Sequence, residues 1–185
     1  MDALTALHTR YSSPRLSGPE PSSTELEKIY RAAFRAADHG LLQPWRFLQI
    51  RGEARARLGE LFVDVATSME PHMPEAQQDK LRQKPLRAPL IIVSVSSPKA
   101  HPKVPEFEQD FSAAAATQSM LVACHALGIG AIWRTGPMAR HQLVKQGLGL
   151  TQAEKIIGFV YLGQPDGPPR PISAVDIQQF VQDWQ

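Results

Sequence analysis

Arg31, Arg35 and His39 recur at four-residue spacing and lead into the stretch RAADHGLLQPWRF, residues 35–47. On a helix, positions i, i+4 and i+8 form one stripe. Beside it Leu26, Ile29, Tyr30, Ala33, Phe34 and Ala37 recur every three or four residues, the pattern of an apolar helix face. Glycine is the usual residue just past a helix end, so the helix is expected to stop near His39-Gly40. Pro44 then bars any continuation. What results is a basic, partly aromatic corner between that helix and a strand over Phe47-Leu48-Gln49-Ile50. Such a corner suits an anionic, planar ligand. Solvated helix arginines have the same spacing, so the stripe alone does not decide.

Two further segments carry chemistry. Arg10-Tyr11-Ser12-Ser13-Pro14-Arg15 follows a short helical run containing Leu4 and Leu7. A guanidinium and a hydroxyl there can give a phosphate charge-assisted hydrogen bonds. Arg10 could equally be a cation satisfying a helix C-terminus. Gly128-Ile129-Gly130-Ala131-Ile132-Trp133-Arg134-Thr135-Gly136 reads as a strand running into a glycine turn. It is no dinucleotide fingerprint, because the third glycine is missing and a helix, not a strand, precedes it.

Taken in order, Arg10-x-Ser12, the Gln43-Pro44-Trp45 corner and Trp133-Arg134-Thr135-Gly136 resemble the FMN-dependent nitroreductase family. The resemblance spans nearly the whole chain and points to the compact bacterial members that carry the name NAD(P)H nitroreductase. It implies an α+β fold with a mainly antiparallel central sheet flanked by helices, and a homodimer whose long central helices pack across the interface. It also implies that Arg10, Tyr11 and Ser12 hold FMN at its phosphate, while Trp133, Arg134, Thr135 and Gly136 skirt the ring. Arg35 and His39 would reach the flavin of the neighbouring subunit. Arg170, within Pro168-Pro169-Arg170-Pro171, stands where the family places a late basic residue on the phosphate, although a solvated loop arginine is an equal reading. The Trp133 side chain is as readily a core aromatic as a flavin contact. The chain departs from the family where Pro-Ser and an Asn are common, holding Ala37, Asp38 and Leu41 instead, so His39 or Asp38 would have to replace the amide.

The activity implied is FMN-dependent oxidation of NAD(P)H in two half-reactions, with a nitroaromatic, quinone or similar small molecule as acceptor. The nicotinamide would dock transiently, and no catalytic acid or base is named, since solvent can protonate the product. Two other readings share the residues: a non-catalytic flavin-sequestering protein, and a relative without cofactor that serves as an interaction domain.

The elements that would position these groups alternate between helix and strand. Ser22-x-x-Glu25 is a capping box. Glu53 to Ser68 is helical by its Leu58, Leu61, Phe62 and Val65 spacing. Residues 69–89 carry prolines at 71, 74, 85 and 89 and read as a mobile excursion with one short helix, a candidate lid. Leu90 to Ser96 and Lys155 to Leu162 are apolar, β-branched runs and so buried strands. A long helix is expected from about Glu106 to Leu127. It has no charged residue from Ser112 onward and is therefore expected to be buried on all sides. Residues 164–185 form a Pro/Gly-rich exit and a weakly amphipathic tail.

Composition excludes several classes. At 185 residues, 43% hydrophobic and 21% charged, the chain fits one globular domain over 1–185. A formal charge of +2 without a basic run argues against nucleic acid. Polar residues interrupt the long helix, which argues against a membrane span. The single Cys124 excludes an internal disulfide and, with no apolar leader, fits a cytoplasmic protein. His101, Glu106, Glu108 and Asp110 lack the helical spacing of a metal site, so none is expected; Cys124 and His125, adjacent on a helix, point apart.

Overall fold

The computed structural model describes residues 1–185. Five strands form one antiparallel sheet: β1 (Leu16–Ser17), β2 (Trp45–Arg51), β3 (Leu90–Ser96), β4 (Gly130–Arg134) and β5 (Lys155–Pro165). β5 is the hub. It pairs with β3 and β4 along most of its length and with β1 at Gln164 and Pro165, while β2 lies beyond β3. Side chains alternate across a strand. Ile91, Val93, Val95, Phe159 and Tyr161 therefore face α3 (Glu53–Met69) on one side. Leu90, Ile92, Val160 and Leu162 face α2 (Ser23–Ala33) and α5 (Glu106–Ala126) on the other. The expected α+β architecture is the observed one.

α1 (Ala3–Thr9) starts on Asp2, whose carboxylate accepts from the Thr5 amide. α2 opens with the expected capping box between Ser22 and Glu25, but it stops at Ala33, six residues before the predicted end. The Arg35 and Ala36 amides bond back only three residues, to Ala32 and Ala33, and Asp38 is already extended. The Asp38 carboxylate takes the Gln43 amide at 2.6 Å, so a local side-chain bond replaces a further helical turn. Arg35 and His39 consequently leave the stripe of Arg31. His39 instead opens a short 3-10 turn, His39–Leu41.

Residues 69–89 are not wholly a free excursion. After Met69–Pro74, exposed but for Met73, which packs on the core, α4 (Glu75–Gln83) and a 3-10 turn (Pro85–Arg87) dock on α3 through buried Leu81 and Ala88. The approach is close: a Cβ on Gly59 would stand 2.5 Å from the Arg82 carbonyl oxygen. Two short helices escape the apolar pattern, α6 (Pro137–Arg140) and α7 (Gln142–Gly147). Residues 166–185 are exposed throughout and hold one 3-10 turn, Ile177–Gln179.

One half-buried ion pair ties the edge strand to the entry of β5. Arg46 donates from Nε and a terminal nitrogen to both Glu154 oxygens, at 2.7 and 2.8 Å, and the Thr151 amide donates to the same carboxylate. The Arg46 hydrogen bond is the main cause holding the Glu154 carboxyl down at about 2, against an ordinary 4.5. Both states are ionised above pH ~4.5, where the pair contributes fully. Below that the unfolded chain takes up its proton first, so the contribution is lost as pH falls through about 2. Glu154→Gln should cost about 2 kcal/mol at neutral pH, within the range for charged hydrogen bonds. Denaturant melts of the two proteins should converge as pH is lowered from 5 to 2.

Candidate functional site

The loop after α1 lies along the free edge of β4. Ser13 donates its amide to the Ala131 carbonyl at 3.0 Å, which places Arg10, Tyr11 and Ser12 beside that strand. Backbone groups alternate edges along a strand. Trp133, two residues after Ala131, therefore directs its amide and carbonyl to the same free edge. Thr135 and Gly136 follow at the strand's end, and Gly136 has φ of 101°, a conformation that favours glycine. The segments expected to share a ligand are thus brought onto one edge.

The Trp133 side chain is committed elsewhere. Its indole Nε1 donates to the Ile157 carbonyl at 3.2 Å, and a Cβ on Gly158 would sit 2.0 Å from that nitrogen. The ring lies over β5 as a half-buried sheet-face aromatic with its Nε1 engaged. Arg134 points to the opposite face, its guanidinium 5.6 Å from the centre of the Tyr161 ring. Its Nε is buried and has no hydrogen-bond partner.

Tyr11 packs edge-on against His125, with ring centres 5.7 Å apart, and Thr9 Oγ1 lies 2.9 Å from His125 Nε2. Burial, then the Arg10 charge, lowers the His125 pKa. Arg10 therefore sits at the C-terminal end of α5. Pro169 lines the same small hollow as Tyr11 and His125, which brings the neighbouring Arg170 to this end.

His39 is at the other end of the helix, where its Nδ1 is 2.5 Å from Glu108 Oε2. Glu108 and His125 are separated along α5 by about 25 Å at 1.5 Å rise per residue. One chain therefore does not bring Arg35 and His39 to Arg10 and Ser12. The corner holding Arg35 and His39 is strained as well as exposed: Leu41 and Gln43 have φ of 52° and 49°, unfavourable without glycine. Asp38 takes the Gln43 amide on one oxygen while the other is buried without a partner, and His39 is engaged with Glu108 through Nδ1 alone. The aromatic character expected of the corner is present, with Tyr30, Phe34 and Phe47 rings 5.7–6.3 Å apart.

The ion pairs of the chain occupy Arg31, Arg46, Arg51, Arg82 and Lys155. Arg10, Arg35, Arg134 and Arg170 have no carboxylate. Arg10, Arg134 and Arg170, the Ser12 hydroxyl and the open β4 edge are a donor-rich group of the kind that fits a phosphorylated planar cofactor, with Arg35 apart from them at the other end of α5. No three His, Cys, Asp or Glu side chains gather as a metal group. His101 is spent capping the Val104 amide, and burial pushes the Cys124 thiol up to about 12. No helix is long and apolar enough to cross a membrane. Motif spacing left Lys84, Arg87 and Tyr161 unnoticed, although they share a cavity with Arg134. Two of them lie within the excursion and the third on an apolar strand, so no local pattern marks them.

Residues 7–164 match the nitroreductase family. The Escherichia coli (strain K12) protein named "Putative NAD(P)H nitroreductase YdjA" is 41% identical over 165 residues, covering 89% of each chain. The solved nitroreductase-like family protein from Bacillus cereus superposes with a TM-score of 0.87 at 20% identity, covering 100% of this chain and 96% of that one. A variant of the FMN and NADPH-dependent nitroreductase NfnB from Sphigopyxis sp. strain HMH gives 0.79 at 17% identity, covering 100% of this chain and 99% of that one. The last two likenesses establish the fold, while the family match and the close sequence relative establish descent: the chain belongs to the nitroreductase family of oxidoreductase enzymes.

Proposed function

We propose that this protein is an FMN-dependent NAD(P)H oxidoreductase that reduces a small oxidised acceptor, such as a nitroaromatic or quinone, as a homodimer with shared sites. The observation that carries the reading is the unpaired cationic set along the β4 edge, beside a helix whose length separates it from Arg35 and His39. Two copies of α5 packed antiparallel would bring the His39 end of one against the Arg10 end of the other. The names of the similar proteins support the reading: NfnB is called FMN and NADPH-dependent, and YdjA is named "Putative NAD(P)H nitroreductase".

FMN, when bound, supplies the redox chemistry, taking electrons from a reduced nicotinamide and passing them to the acceptor. This chain's residues bind and orient it. Arg10 and Ser12, with Arg35 and His39 of the second copy, hold the phosphate. Arg170 is placed to add to them. The outward amide and carbonyl of Trp133 would hold the ring edge, and the indole bond to Ile157 keeps that strand segment in place. Thr135 and Gly136 allow close backbone approach. Arg134, at the end of that strand, would supply positive charge to stabilise the reduced ring. No side chain is needed as acid or base.

The dimer reading rests on an uncovered stripe of α5. The helix is not buried on all sides in one chain: Phe107 and Phe111 are 55% and 67% exposed, and Ala114, Ala115, Gln118 and Val122 continue the open face. Ala116, by contrast, is fully buried in the core. A second copy would cover the stripe and exclude water from the shared site.

Arg10→Ala should weaken FMN binding by about 1.5–3 kcal/mol, and riboflavin should bind far more weakly than FMN. Calorimetric titration of the four combinations checks this, and equal affinity for FMN and riboflavin would reject the phosphate site. Ala115→Glu should leave the fold intact by circular dichroism but give a monomer by sedimentation, because an unpaired charge in an apolar interface is costly. Flavin should be lost with the dimer. In steady-state kinetics, NAD(P)H and a quinone should give parallel double-reciprocal lines, since one ring face admits one partner at a time. Anaerobic NAD(P)H should bleach the flavin and the quinone restore it; a flavin-loaded protein that neither nicotinamide bleaches would be a sequestering protein.

A further inference from the structure

Beyond the β4 edge, on the α3 face of the sheet, lies a cavity of about 450 Å³. Lys84 and Arg87 come from the end of α4 and the following 3-10 turn, Arg134 from the end of β4. No acidic residue lines the cavity, and none of the three cations has an ion-pair or hydrogen-bond partner for its side-chain charge. The walls are apolar and flat: Phe62 and Phe159 meet edge to face with ring centres 5.6 Å apart, and Ile132 and Met138 close the sides. On the floor Tyr161 is 4% exposed, and its hydroxyl makes no hydrogen bond within the chain.

Three like charges held together at a half-buried site oppose folding unless an anion joins them. Burial first, then Arg87, already lowers the Lys84 pKa, as expected where ammonium and guanidinium crowd without a counter-ion. The orphaned Arg134 Nε shows the same unmet demand by geometry. Apolar planar walls beneath a cationic rim select a ligand that is flat at one end and anionic at the other. The volume is at the small end of the ~300–1,000 Å³ usual for small-molecule sites, which excludes a whole dinucleotide.

We propose that this cavity is the acceptor-side anion site, taking a small aromatic carboxylate whose ring packs between Phe62, Phe159 and Tyr161 and whose carboxylate meets Lys84 and Arg87. Placed so, the far end of the ring points along Arg134 to Thr135 and Gly136, where the proposed flavin edge lies. The redox consequence rests on the function proposed above; the binding itself does not.

Calorimetric titration with benzoate and with neutral benzyl alcohol tests binding directly. Benzoate should bind at least tenfold tighter than the alcohol, and the variant K84Q/R87Q should abolish the difference while its thermal melt and FMN affinity stay unchanged. The single variants K84Q and R87Q should each show part of the loss. For flavin-loaded protein, kcat/KM for 4-nitrobenzoate should exceed that for 4-nitrobenzyl alcohol about tenfold, and the two should become equal in the double variant, with quinone reduction unaltered. Equal binding of benzoate and benzyl alcohol overturns the proposal. So does loss of FMN affinity in K84Q/R87Q, which would make the cavity a cofactor site, or inorganic phosphate competing as well as benzoate. A protein that oxidises no nicotinamide would refute the oxidoreductase reading alone, because the benzoate titration still decides this one.

Discussion

The geometry of the molecule depends on burying one face of α5 against the sheet. Ala113, Ala116, Thr117, Met120, Leu121 and Cys124 all turn inward, and several are small, so the helix lies close to β3 and β5. Thr117 even reaches through to Ser94 on β3, the two hydroxyls 2.7 Å apart with no exposure to solvent. That contact fixes the helix along its axis as well as against the sheet. This helix of 21 residues then acts as a ruler, with Glu108 holding His39 at one end and His125 packing Tyr11 at the other.

The same ruler explains why the candidate site is divided. Each chain carries half a cationic set at either end of α5 and an open apolar stripe between them. Charges that lack counter-ions and an apolar surface that lacks a cover are both unfavourable in a lone chain. The two-fold partner proposed above would resolve both at once, the stripe meeting its copy and the two half-sites meeting across it. The strained turn at Leu41 and Gln43 fits that picture, since strain persists where surrounding structure holds a functional group in place.

On the other face, α3 and the docked end of the excursion build a second kind of site. Close packing at Gly59 and the Arg82 carboxylate cluster anchor α4, and with it the 3-10 turn that presents Arg87. Those surface pairs are individually weak. They matter because several converge on one guanidinium and so set the position of Lys84 two residues later. β4 divides the two faces. Its free edge serves the proposed cofactor and its α3 side the cationic cavity, with Arg134 in reach of both.

Local rules were enough for much of the chain. The capping box at Ser22, the apolar runs of β3 and β5, the long helix uncharged from Ser112 onward and the ordered Arg-x-Ser, Gln-Pro-Trp and Trp-Arg-Thr-Gly motifs are all patterns within a few residues; the elements point to a mixed α and β chain, and the motifs carry the family resemblance that implies its antiparallel sheet. Local rules failed wherever a contact came from far along the chain or from competing bonds of similar strength. A helix reading of residues 34–39 was reasonable by periodicity, yet the Asp38 carboxylate diverts the backbone to Gln43. The Trp133 side chain could not be placed by alternation, because its position depends on Gly158 leaving room and Ile157 offering a carbonyl, some 24 residues away. Lys84, Arg87 and Tyr161 carry no motif at all; only the docking of α4 on α3 gathers them around Arg134. Sequence spacing determines which residues can share an element, since that is set by the helical and strand repeats. Which elements share a site is decided by packing between segments distant in the chain, and here by the length of one buried helix.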